Sequence, residues 1–163
     1  MLHVRPSSLQ ADRMLKVADI IAPMRPANFN MAQWIRHECG SPSCMAGHAV
    51  WQGMFGRDVA EMLRADPEDH ATSLRTYRRF SDSASDAVRF EATAYFGIDH
   101  DTAHVLFVPA IINLHQGCIE PVWQQSLSDS HERTRISGRW AASTLRHLVD
   151  TGRVDWTRCK EAA

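Results

Sequence analysis

Apolar residues recur at helical spacing along most of this chain. Met14, Leu15, Ala18 and Ile21 share one face, Ser8 stands where an N-cap belongs, and Pro23 ends the run. Arg25-Pro-Ala-Asn-Phe29 reads as a connector. Asn30 is placed to cap a short second helix with Met31, Trp34 and Ile35 on one side. Ser41-Pro42 reads as an N-cap followed by proline at the first helical position. A third helix then runs to about Phe55, with Cys44, His48, Trp51 and Phe55 on one stripe and Gly56 as its stop. Gly47 lies inside that helix at a cost of about 1 kcal/mol relative to alanine, so a neighbouring backbone is expected to pass close by.

The pattern continues downstream. Val59, Met62 and Leu63 give one or two further turns, and Asp66-Pro67 starts another helix with Asp69 in its first turn. Ala71, Leu74 and Tyr77 form its apolar side, and Ser81-Asp-Ser83 is expected to break it. Residues 84–96 carry Val88, Ala92 and Tyr95 at helical spacing, and Gly97-Ile98 fits a left-handed stop. Asp99 caps a short helix bearing Ala103, Leu106 and Phe107, halted near Pro109. Residues 109–129 fit either helix or extended chain. Ile136, Trp140, Ala141, Thr144, Leu145 and Leu148 make the last clear stripe, ended by Gly152, with Val154 and Trp156 folding back. No run alternates with a period of two, and no repeat or low-complexity tract interrupts the pattern. It predicts an all-α fold, a single compact domain of about seven short helices over 1–163, with 1–7 and 157–163 as loose termini.

Composition narrows the function classes. At 163 residues, 44% hydrophobic and 23% charged, the chain has the make-up of a soluble domain with a sizeable core. A net charge of −1 gives no general electrostatic footprint for nucleic acid. Residues 1–13 are polar and interrupted by Pro6, so no secretory apolar region follows the start, and no apolar run reaches the roughly 18 residues of a membrane span. Cys39, Cys44, Cys118 and Cys159 are therefore expected as reduced thiols in the cytoplasm.

Candidate chemistry gathers in His37-Glu-Cys-Gly-Ser-Pro-Ser-Cys-Met-Ala-Gly-His48. His37, Cys39, Cys44 and His48 are a possible four-ligand set for zinc, since Cys44 and His48 at i, i+4 present two donors from one helix face. The same residues admit a thiol redox pair or a Cys–His nucleophile, although the cysteine spacing is not Cys-x-x-Cys and no βαβ pattern accompanies it. The bland alternative is a helix–turn–helix corner in which Cys39 and Cys44 pack as small core residues. His100 and His104 form a second i, i+4 pair, without the glutamate of a metalloprotease motif. Arg75, Arg78 and Arg79 offer a docking face for phosphates or an acidic partner, against which stands an ordinary solvated helix face with acidic neighbours. The five tryptophans fall mostly on apolar stripes and read as core rather than as a stacking platform. No phosphate-binding glycine loop, dinucleotide fingerprint, serine-hydrolase elbow or kinase motif is present.

At Phe29-Asn-Met-Ala-Gln-Trp34 and Cys39-Gly-Ser-Pro-Ser-Cys-Met-Ala-Gly-His-Ala49 the chain resembles a family of small uncharacterised bacterial and phage proteins with a Cys-Gly-Thr/Ser-x-x-Cys-x-x-Gly-His/Trp-Ala box. The likeness continues at Tyr95-Phe-Gly-Ile98, Ala103-His-Val-Leu-Phe107, Leu145-Arg-His-Leu148 and Gly152-Arg-Val-Asp-Trp156, and covers residues 12–156 loosely. This chain has Ser41 where the family tends to threonine, followed by Pro42. The resemblance implies a shared helical fold and a mobile-element context, and no activity. The family's interchange of His and Trp at the position of His48 argues against a shared metal ligand there. The expectation is a non-enzymatic helical binding module, a bacterial or phage accessory protein with a protein partner, for instance an inhibitor of a host or defence complex. The alternative is a metal- or thiol-dependent enzyme, or a structural zinc domain, centred on the box.

Overall fold

The computed structural model describes residues 5–36, 39–83, 85–108 and 136–161. α1 (Ser8–Ile21) opens with a capping box: Ser7 Oγ accepts from the Gln10 amide, and Gln10 Oε1 accepts from the Ser7 amide at 2.7 Å. Ser7 thus does structural work, although the sequence places it in a loose terminus. The buried stripe of α1 is Met14, Val17, Ala18 and Ile21.

α2 (Met45–Phe55) is the centre of the molecule. Every residue from Met45 to Gln52 is buried, as a helix apolar on all sides requires. Around it lie α3 (Val59–Arg64), α4 (Pro67–Ser83), α5 (Ser85–Phe96) and α6 (His100–Phe107). Asp58 and Asp99 cap α3 and α6, and Asp66 Oδ1 accepts from the Glu68 amide at 2.8 Å where α4 begins. The left-handed stops form at Gly56, Gly97 and Gly152.

α7 (Gly138–Thr151) runs along α1 and buries Ala141, Ala142, Thr144, Leu145 and Leu148. A β-carbon on Gly138 would collide with the Ile21 carbonyl, so glycine is what lets α7 start against the end of α1. α8 (Trp156–Glu161) occupies the segment expected to be loose and buries Cys159. Its anchor is a pair of indoles: Trp140 Nε1 donates to the Trp156 carbonyl at 2.7 Å, and Trp156 Nε1 donates to the Val105 carbonyl at 2.9 Å.

The described residues are all-α apart from one bridge, and three local expectations are corrected. The short helix over Met31, Trp34 and Ile35 does not form. Instead Asn30 N donates to Ser43 O at 3.0 Å, Ser43 N to Trp34 O at 3.1 Å and Arg36 N to Ser41 O at 2.8 Å, with Ile35 and Pro42 bridged antiparallel. Helix nucleation in so short a stretch is unfavourable, and cross-chain bonds satisfy the backbone instead. Nor does α2 begin at Ser41-Pro42. The Ser41 carbonyl, which a helix starting there would need, is committed to Arg36, and Cys44 becomes the N-cap, its sulfur accepting from the Gly47 amide at 3.3 Å. Ser81-Asp-Ser83 does not break α4, because Ser81 Oγ turns back to donate to the Tyr77 carbonyl at 3.1 Å.

Residues 109–129, Cys118 and Trp123, which the sequence left open or singled out, lie outside the described residues. Among the described residues no helix is long and apolar enough to cross a membrane.

Candidate functional site

The box folds as a clamp between α2 and α4. The loop of residues 34–43 lies across the start of α2, and a β-carbon on Gly47 would overlap the Trp34 carbonyl and sit 2.9 Å from Tyr77 Oη. The close backbone expected at Gly47 is therefore Trp34. Tyr77 on α4 closes the clamp: its hydroxyl donates to the Gly47 carbonyl at 3.0 Å, with the Trp34 carbonyl at 3.4 Å. The Trp51 ring meets the Tyr77 ring edge-on at 5.2 Å.

Inside this clamp the box is divided. Cys44 and His48 are both buried on α2. Burial pushes the Cys44 thiol up to about 12, although the Gly47 amide pulls it the other way. Burial also pushes His48 down to about 4, opposed by the Asp58 carboxylate. A catalytic thiol must be available as thiolate and its histidine must take up a proton near neutrality. Here both groups are held neutral.

Cys39, expected to pack beside Cys44 in the core, is exposed, with its sulfur 2.9 Å from Ser41 Oγ. The reason is the tight turn in which Gly40 N donates to Arg36 O at 2.8 Å, placing residue 39 at the tip. His37 lies outside the described residues. Among the described residues, no three His, Cys, Asp or Glu side chains are grouped to hold a metal.

The other candidates are local. His100 and His104 stack at 6.5 Å between ring centres on α6. Arg75, Arg78 and Arg79 are exposed, but Arg75 donates to Thr72 Oγ1 at 3.2 Å and Arg78 stands 3.7 Å from Asp82. Of the tryptophans, Trp51 is core and Trp34, Trp140 and Trp156 pack against it.

Two features escape sequence reasoning. The first is a line of buried polar atoms without hydrogen-bond partners on α2, namely His48 Nε2, Trp51 Nε1 and both amide atoms of Gln52. A glutamine inside an apolar run was the available signal. The second is a groove of about 420 Å³ where α1, α2, α4 and α5 meet. Gly53 and Met54 of α2 face Ala94 and Tyr95 of α5 across it, with Arg13 of α1 and Glu91 of α5 among its charged residues. Arg13 donates to the Tyr95 carbonyl at 2.8 Å and stands 5.1 Å over the Tyr95 ring. Comparison of the chain with protein-family models, with curated proteins and with solved structures finds no match.

Proposed function

We propose that this chain is a non-enzymatic helical binding module that docks on a protein partner through the groove between α1, α2 and α5. One observation carries the reading. Five large apolar side chains are exposed among the described residues, and three of them surround this groove. Met54, 40% exposed, lines it; Leu9, 58% exposed, is one turn from Arg13; and Phe90, 72% exposed, is one turn from Ala94. Scattered single apolar residues are normal on a surface, whereas a cluster around a hollow marks an interaction site. The likeness of the box to bacterial and phage proteins fits an accessory role, such as an inhibitor occupying a surface of a host or defence complex.

The test is a photo-crosslinking amino acid at position 90 and, as control, at the equally exposed position 63. In extract from the source cell, position 90 is expected to capture a discrete protein that unlabelled parent chain displaces and Phe90→Ser chain does not. Equal capture at both positions, or capture indifferent to the competitor, would end the reading.

A structural zinc in the box is a second reading, favoured by one observation. His48 Nε2 is buried without a hydrogen-bond partner, and Cys44 lies one turn away. The exposed position of Cys39 weighs against it.

A further inference from the structure

Building on the reading of the groove as an interaction surface, we infer that its occupant is a second copy of this chain, with α5 pairing antiparallel to the partner's α5 about a twofold axis. A twofold interface requires every feature to find its complement on the same surface. This groove carries both halves. Phe90 projects as a knob, 72% exposed, while one turn further along α5 the exposed Ala94 leaves a hollow beside Met54 and Tyr95. An axis crossing α5 between residues 92 and 93 sets each Phe90 over the partner's Ala94, a large side chain against a small one.

The charges obey the same axis. Glu91 is exposed and has no ion-pair partner among the described residues. Arg13 is held over Tyr95, four residues along α5. The rotation that seats Phe90 on the partner's Ala94 also brings Glu91 to the partner's Arg13. Apolar and charged pairings are thus satisfied together by one operation. A net charge of −1 per chain opposes the pairing very little.

Sedimentation equilibrium of the full chain over a wide concentration range tests this, with circular dichroism confirming that each variant is folded. The parent is expected to show a monomer–dimer equilibrium. Phe90→Ser, at an exposed position outside the core, is expected to raise the dissociation constant at least about tenfold. Glu91→Arg and Arg13→Glu each place like charges across the axis and are expected to weaken self-association comparably. Mixing those two variants restores both opposite-charge pairs, so the mixture is expected to form heterodimer with near-parental affinity. If Arg13→Glu does not fold, Phe90→Ser and Glu91→Arg decide the matter between them.

A parent that stays monomeric at every concentration, or a dimer indifferent to Phe90→Ser and Glu91→Arg, would overturn the inference. A monomer that still gives specific crosslinks from position 90 to another protein leaves the docking reading standing. A monomer without such crosslinks ends both.

Discussion

Tyr77 Oη donates to the Gly47 carbonyl at 3.0 Å, and this contact exists because Gly47 has no side chain. With the β-carbon absent, the Trp34 carbonyl and the Tyr77 hydroxyl both reach the first turns of α2. One position therefore fixes three parts of the chain: the loop, the central helix and α4.

Gly47→Ala is expected to destabilise the fold despite alanine's helix propensity. The propensity gain is about 1 kcal/mol, whereas overpacking against a backbone carbonyl costs about 1–3 kcal/mol or more. Tyr77→Phe keeps the ring and loses only the hydroxyl, so about 1 kcal/mol is expected. Urea denaturation of both variants checks the order. A Gly47→Ala protein as stable as its parent would mean that the loop does not lie across α2.

His48 makes stability depend on pH. Its folded value of about 4 lies below its ordinary 6.5, so between these the unfolded chain binds the extra proton. The stabilising contribution is complete above 6.5 and is lost as pH falls from there through about 4. The total is on the order of 3 kcal/mol. Denaturation midpoints measured from pH 7 to pH 4 are expected to fall, and to fall less steeply in His48→Phe. Equal slopes would show that another group carries the acid sensitivity.

Thiol accessibility separates the cysteines. Cys39 is exposed, whereas Cys44 and Cys159 are buried, and burial raises both of their thiols. Brief alkylation of native protein, read by peptide mass spectrometry, is expected to modify Cys39 and to reach Cys44 and Cys159 only after denaturant. Rapid native labelling of Cys44 would reopen the thiol-enzyme reading.

Much of the helical framework is readable in the sequence because its signals are local. Asp99 and Asp66 announce helix starts, Gly56, Gly97 and Gly152 announce stops, and an interior Gly47 points to a close backbone. The loop at 30–43 misleads for the opposite reason. Met31, Trp34 and Ile35 keep helical spacing, yet the backbone bonds of this stretch go to Ser41 and Ser43, which periodicity cannot register. The groove is hidden in the same way. Leu9, Met54 and Phe90 come from three helices, and only the packing of α1 and α2 on α5 makes them neighbours. The neutral states of Cys44 and His48 likewise follow from the burial of α2 on all sides, a property of the assembled molecule.

Zinc content divides the two functional classes most directly, because a packed corner needs no metal and a four-ligand box does. Protein purified without a polyhistidine tag is to be examined by elemental analysis, beside His37→Ala and Cys44→Ala. With Cys39 at the surface and Cys44 buried and capping α2, no stoichiometric zinc is expected in any of the three. One zinc per chain in the parent, lost in both variants, would contradict the corner and make the box a metal site.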